Sequence, residues 1–400
     1  MGWQEESPFP LSPSEKECSC MSMIKRAYRY RCYPTDEQKQ ILARTFGCAR
    51  WIYNWALARK NRAYQQGRHL SYGDLSASLP SLKQEPETAW LAEVSSVTLQ
   101  QSLRHLERAF VNFFEGRTHY PRFKSKKRDT QTATYTASAF TWKDGSLTLA
   151  KMGTPLDIRW SRPLPDGVIP STVTLSCDSA GRYFISLLVE EKIVPLPPST
   201  EQIGVDLGLV SMVITSKGEK VGNPRYFAKD EKKLAKAQKQ LARKRRGSKN
   251  REKARCKVAK IHARVADRRR DYQHKLSTRL IRENQVICVE SLAVKNMMQN
   301  HSLAKAIADV GWGEFVRQLV YKAQWYRRTL AKIDRWFPSS KMCSCCGCVL
   351  ERLDLEVRDW ICPQCGTHHD RDVNAAQSVL TEGLRLSAAG LAVLLPVEAT

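Results

Sequence analysis

No stretch of this 400-residue chain is long and apolar enough to cross a bilayer: the best candidate, around residues 388–397, is too short and is broken by Gly390 and Pro396. Also missing is a leading segment with the charged, apolar and small-residue regions of a signal peptide. Residues 1–22 are instead polar, rich in Pro and Ser and partly acidic, and are expected to be a flexible extension, with Met21 or Met23 nearer the start of the folded part. Acid is scarce relative to base. Lys and Arg number 65 against 40 Asp and Glu, a formal net charge of +25. Such a surface suits nucleic acid or an anionic membrane; without a spanning segment, no membrane partner is expected. A spread-out disulfide framework is absent too. Of thirteen cysteines, six fall within residues 343–365, which fits a reducing compartment and one metal cluster better than secretion. Cys32, Cys48, Cys177, Cys256 and Cys288 read as small packing residues. No internal repeat is visible.

The hydrophobic pattern divides the chain. Residues 24–32 alternate like one strand, and a turn at Tyr33-Pro34 leads into helical spacing over 37–64. Further helices are expected over 72–79 and 97–114. Short strands follow over 131–193, with a hairpin around Ala180-Gly181. After the prolines at 195, 197 and 198, residues 202–205 and 210–215 read as adjacent strands, 229–285 as basic helices, 286–289 as a buried strand, 312–330 as a helix and 332–337 as a strand. Strands alternating with helices describe an α/β domain.

Cys343 and Cys346 are separated by two residues, as are Cys362 and Cys365, and fifteen residues lie between the pairs. Each pair aims two thiolates at one point, and together they complete a tetrahedron around Zn²⁺. A redox or merely cysteine-rich loop is the competing reading. Cys345 and Cys348 blur the register and are taken as non-ligands; His368 and His369 are taken as neighbours of the metal or solvent residues. Four thiolates leave no open position, so such a zinc is structural.

Three carboxylates stand at element ends: Asp206 after the apolar run Ile203-Gly-Val, Glu290 after 286–289, and Asp372 at the opening of a helix rich in alanine. Unpaired burial of any of them is costly. Brought together, they can hold two Mg²⁺ about 4 Å apart and hydrolyse a phosphodiester. Singly, each is weak. A Gly-x-Asp-x-Gly turn also opens actin-like kinases, a Glu after a strand is usually solvated, and Asp372 alone suits a helix cap. Asp370 and Arg371 either touch a nucleic-acid strand or pair with each other. Ala375 and Ala376 would let the last helix lie close on the sheet.

Residues 229–270 carry nineteen Lys/Arg and four Asp/Glu, interleaved with Leu234, Leu241, Val258, Ile261 and Val265. A charge run is commonly a solvated face. An amphipathic helix pair with one face on the core and the other on phosphates accounts for both sets of residues. Candidate contacts are Arg243, Lys244, Arg245, Arg246, Arg268, Arg269 and Arg371.

From about residue 23 to 380 the chain resembles the TnpB (OrfB) family of insertion-sequence proteins, relatives of the type V CRISPR effectors. The resemblance is carried by Tyr33-Pro34, Ala49-Arg50-Trp51-Ile52-Tyr53-Asn54, Gly204-Val205-Asp206-Leu207-Gly208, Val289-Glu290-Ser291-Leu292, Gly311-Trp312-Gly313-Glu314-Phe315, Phe337-Pro338-Ser339-Ser340, the cysteine pairs, and Asp370-Arg371-Asp372-Val373-Asn374-Ala375-Ala376. It implies a multidomain fold mixing α/β and α+β parts. A wedge-like β-barrel (23–35 and 121–195) would be interrupted by a helical recognition insert (36–120). A RuvC/RNase H-like nuclease domain (199–341 and 367–385) would carry an inserted zinc ribbon (342–366), before a tail (386–400). It implies an Mg²⁺-dependent RNA-guided DNA endonuclease with a guide RNA and target double-stranded DNA as partners, no small-molecule substrate, one protein copy per RNA, and a bacterial or archaeal cytoplasmic, nucleoid-associated setting linked to transposons and DNA recombination. Asp206, Glu290 and Asp372 match the family's acidic triad. Tyr72 and Gln100 fall where such proteins contact the flanking motif. The rival readings are a guided DNA-binding regulator that does not cut, and a transposase or its accessory; no paired-histidine or nucleophilic-tyrosine context of a single-strand transposase is present.

Overall fold

The structure, a computed structural model, describes residues 22–390 apart from 144 and 355. Most of the expected N-terminal extension, and residues 391–400 of the expected tail, lie outside the described residues. The chain divides into two compact units, one over Met23–Lys192 and the other from Ile193 onward.

In the first unit, β1 (Ser22–Cys32) alternates as its sequence demands, burying Tyr28, Tyr30 and Cys32. Thr35 and Gln38 then form a reciprocal capping box that starts the 30-residue α1 (Asp36–Gln65). The helix expected over 72–79 is two short ones, α2 (Tyr72–Ala77) and α3 (Leu79–Gln84), because Pro80 restarts the winding at Ser78. Together with α4 (Ser96–Phe114) they enclose Ile52, Leu57, Leu91, Leu99 and Leu103. The strands β2 (Gln131–Thr136), β3 (Phe140–Lys143), β4 (Ser146–Leu149), β5 (Ile158–Arg159), β6 (Thr172–Cys177) and β7 (Tyr183–Ile193) follow. They form a five-stranded sheet in the order β2-β6-β7-β1-β5, and β3–β4 pair apart from it. Among the described residues no pairing joins β5 to β2, so the sheet is open where a barrel would close.

The second unit is built on another five-stranded sheet, ordered β10-β9-β8-β11-β12. Its strands are β8 (Gln202–Asp206), β9 (Ser211–Thr215), β10 (Lys220–Gly222), β11 (Val286–Val289) and β12 (Thr329–Lys332). β8, β11 and β12 run parallel; β9 and β10 are antiparallel additions. The strand expected over 332–337 is therefore displaced. Arg327, in the left-handed region, ends the preceding helix early, the strand occupies Thr329–Lys332, and 334–337 is a turn. Between β10 and β11 lie the basic helices α5 (Tyr226–Ala242) and α6 (Lys249–Glu283). Leu234, Ala237 and Ile261 form their seam. Between β11 and β12 come α7 (Val294–Met297), α8 (His301–Val310) and α9 (Trp312–Tyr326). The hairpin of β13 (Asp359–Ile361) and β14 (His368–Asp370) precedes α10 (Arg371–Ala388).

The apolar run of β11 is buried on both faces. Ile287 and Val289 meet Leu276, Leu280, Phe315 and Leu319 of α6 and α9, while Cys288 meets Ala331 and Val379 on the α10 side. There α10 lies so close that a Cβ on Gly204 would fall 2.0 Å from the Ala376 carbonyl oxygen, and one on Gly383 would fall 2.4 Å from Cys288 Sγ. Asp309 fixes the basic pair to the domain: its carboxylate accepts the Phe227 N–H at 3.0 Å and the Ala228 N–H at 3.4 Å, and meets Arg269 at 3.3 Å. Among the described residues no helix is long and apolar enough to cross a membrane.

Candidate active site

Parallel strands present their C-terminal ends at one sheet edge. Val205 pairs in register with Val289, so the next residues along, Asp206 and Glu290, are neighbours there. Contact of Ala376 with Gly204 brings in the third acid. One helical turn back from Ala376 is Asp372, and two residues on from Gly204 is Asp206. Those steps are about 5.4 Å and about 6.6 Å, so Asp372 comes alongside Asp206. The three residues thus meet at one edge despite their separation in sequence.

Electrostatics follow from this placement. Burial, then the negative charges of Glu290 and Asp372, push the Asp206 carboxyl up to about 8, with Arg371 and the Leu207 N–H pulling the other way. Burial likewise raises Glu290, against the hydrogen bond its Oε1 accepts from the Leu207 N–H at 2.9 Å. Asp372 Oδ1 lies 3.4 Å from Arg358 of the ribbon. The carboxylates are looser than a formed ion cage. Among the described residues only Cys343, Cys346, Cys362 and Cys365 put three or more potential ligand atoms all within 4.8 Å of one another.

Those cysteines sit on two matching turns. Gly347 N–H reaches the Cys343 carbonyl and Gly366 N–H the Cys362 carbonyl, both at 2.9 Å, with each glycine in the left-handed region. Facing sulfurs stand 3.6 Å apart, Cys343 to Cys365 and Cys346 to Cys362. A tetrahedron with metal–sulfur bonds of about 2.3 Å has edges of about 3.8 Å, so the donor set fits one four-coordinate ion. Cys345 and Cys348 lie outside the group. His369 is buried, not solvated, with Nε2 3.0 Å from Cys343 Sγ and its ring 4.7 Å from that of Trp360.

Several of the expected contacts read differently in three dimensions. Arg371 is only 9% exposed, and its guanidinium donates to the carbonyls of Asp354 and Val357. It is a ribbon staple rather than a free phosphate ligand. Asp370, not Asp372, caps α10, accepting the N–H groups of Asp372 and Val373. Its other oxygen holds Lys220 at 2.5 Å, and these bonds keep its carboxyl low against the opposing effect of burial. Arg269 meets Asp309, and Arg268 lies 3.4 Å from Asp230. Arg243, Lys244, Arg245 and Arg246 are all exposed at the tip between α5 and α6. In the other unit Tyr72 carries Arg104 over its ring at 4.8 Å, and Gln100 is one helical turn before Arg104. Overlooked in the sequence were Lys220, Arg358 and the bonds that seat the ribbon. Asn374 donates to the Met342 carbonyl at 2.7 Å and accepts the Ser344 N–H at 2.8 Å. Their only advance signal was the proximity of Asn374 to Asp372.

Comparison with known proteins extends this picture. Residues 185–301 match the family OrfB_IS605, described as a probable transposase, residues 312–379 the Cas12f1-like TNB domain, and residues 21–69 the OrfB_IS605 helix-turn-helix domain. That last segment here is a strand and one long helix. A Streptomyces pristinaespiralis protein named "Putative RNA-guided DNA endonuclease" is 55% identical over 371 residues, 92% of each chain. An Escherichia coli K12 protein of the same description, InsQ, is 31% identical across 91% of this chain and 94% of its own. A "TnpB-like protein" of Acanthamoeba polyphaga mimivirus is 26% identical over 144 residues, 34% of this chain and 27% of its own. In fold, the chain is similar to Cas12f1 solved with a single guide RNA and target DNA, with a TM-score of 0.54 and 13% identity over 89% of this chain and 98% of that one.

Proposed function

The chain belongs to the TnpB (OrfB) family, and on that premise we propose that it is an RNA-guided DNA endonuclease. A guide RNA pairs with one strand of a double-stranded target, and the chain hydrolyses phosphodiesters near a short flanking motif. The observation that carries this reading is the meeting of Asp206, Glu290 and Asp372 at one sheet edge, where burial and mutual repulsion push the Asp206 carboxyl well above the usual carboxylate range. Such a carboxylate group gains by exchanging its proton for a cation, and an all-oxygen donor set suits Mg²⁺. Asp206 would touch two ions, with Glu290 and Asp372 holding one each. Bound there, the ions would activate water and steady the leaving oxygen.

The chain's own residues do the rest. Leu207 N–H orients Glu290. Asp370 and Lys220 fix the first turn of α10, and with it Asp372. The exposed Arg243–Arg246 tip meets nucleic-acid phosphates. Tyr72 and Gln100, with Arg104 between them, are assigned to the flanking motif. The sheet of the first unit serves as a wedge around the helical insert over 36–120, and the second unit as a RuvC-like nuclease domain with its ribbon over 342–366. One protein copy acts with one RNA.

The test supplies the chain with its co-purifying RNA, a matched duplex and Mg²⁺. Strand breaks that need both RNA and Mg²⁺ are expected; tight binding that leaves the DNA whole identifies a guided regulator instead.

The four cysteines are assigned to one structural Zn²⁺. Metal analysis of purified protein is expected to give about one zinc per chain. Replacing all four with serine should remove the zinc and lower the folded yield. A metal-free wild-type chain with full folded yield would refute this assignment.

A further inference from the structure

Trp336 is 79% exposed, the most of any described large hydrophobic side chain in its unit. Exposure on a loose loop would mean little, but this loop is tied down. Ile333 extends the ladder beyond β12, its N–H reaching the Val289 carbonyl at 3.0 Å. Asp334 Oδ1 accepts the Trp336 N–H at 2.7 Å, and the Asp334 carbonyl accepts the Phe337 N–H at 3.2 Å. Phe337 packs on Cys288, Ile333 and Val379. The backbone is thus held on both sides of Trp336 while the indole stays outside. Arg335 places its guanidinium 5.1 Å from the indole centroid.

The position is as informative as the exposure. β12 is parallel to β11 and leaves the sheet at the edge where Asp206 and Glu290 stand. Two strand spacings, about 10 Å, separate β12 from β8. An aromatic plane and a cation are therefore held beside the carboxylate edge of a strongly basic chain.

We infer that Trp336, with Arg335, is a stacking platform for a nucleobase of single-stranded DNA at the carboxylate edge. Every base has a π-face, so an indole binds single strands with little regard to sequence, and an adjacent arginine adds attraction to the ring and to phosphate. Bases within a duplex already stack on their neighbours and gain nothing from the platform. The inference rests on the reading of this edge as the cutting site and deepens it by naming the side chains that would position a strand there. Trp336 is a positioning residue, not a catalytic one.

The experiment uses the full chain loaded with its co-purifying RNA and a fluorescein-labelled 20-nucleotide thymidylate strand, in EDTA and 0.3 M NaCl. Binding is read by anisotropy. Trp336→Ala is expected to weaken it about tenfold, and Trp336→Phe by no more than about threefold. A labelled duplex of the same length should bind all three proteins within about twofold. Unchanged single-strand affinity in Trp336→Ala overturns the inference and turns attention to a protein partner. Equal losses on single strand and duplex overturn it as well, since they report general charge or misfolding. No cutting occurs in EDTA, so a chain that never cleaves would leave this result standing. Loss of the platform, in turn, would leave the nuclease reading intact.

Discussion

Asp206→Ala is expected to abolish target cleavage, by about 10³-fold or more, while guide RNA and target binding change by less than about threefold. The residue stands at the end of β8 between the other two acids, so its loss takes away the one carboxylate shared by both proposed ions. Gel-shift and cleavage assays on the same preparation separate the two effects, and retained cutting would refute the triad. The isosteric Asp206→Asn adds a second readout. With its carboxyl pushed up to about 8 against about 3.9 in an unfolded chain, the folded protein holds a proton that the unfolded chain has released. Between those values the unfolded state binds fewer protons, so stability without metal falls as pH rises. Asp206→Asn cannot titrate. In chelator at pH 7.5 it should melt a few degrees above wild type, roughly 3 °C or more, and the gap should close towards pH 4. An unchanged or lower melting temperature at pH 7.5 would count against the raised carboxyl.

Gly204→Ala should be the most damaging small substitution in the sheet. The added methyl would stand 2.0 Å from the Ala376 carbonyl oxygen and 2.8 Å from Leu380 Cβ. Backbone cannot yield as a flexible side chain does, so α10 must lift or β8 must bend. A cost of about 3 kcal/mol or more is expected. The surviving folded protein should also cut poorly, because α10 carries Asp372 and an ångström of misplacement at a reacting centre costs about 10²-fold. Gly313→Ala is the control: it lies in α9 with nothing within 4 Å of the new Cβ, and should be neutral or slightly stabilising. Similar melting curves for both variants would contradict the close approach.

What could be read from the sequence was what side-chain pattern encodes. Alternation in β1, the continuous apolar run of β11 and the helical stripes of α1 and α4 each report which faces are buried, and the acids at the ends of such runs stand out because charge ends burial. The paired cysteines are legible because two short turns suffice to make their geometry. What stayed hidden depends on approach between distant elements. Nothing local distinguishes Gly204, pressed against α10, from an ordinary strand glycine. Arg371 has the charge of a phosphate ligand, and only the fold turns it inward to the Asp354 and Val357 carbonyls. His369 carries no periodic signal, yet it is buried against Cys343. The strand at Thr329–Lys332 was misplaced because Ile333 and the aromatic pair after it look strand-like, whereas the left-handed turn at Arg327 sets where pairing begins.

The helix that closes the sheet is also among the last described elements of the chain. Until α10 docks, the Cys288 face of the sheet lacks its cover, Gly204 has no partner, and Asp206 and Glu290 lack the third acid. During synthesis the three-acid edge would therefore be completed only once Arg371–Ala388 has been made. A message broken early, or a chain released early, would carry the basic helices and two acids but no assembled site. The order of elements thus leaves any fragment that stops before residue 371 without the third acid and without the cover of the Cys288 face.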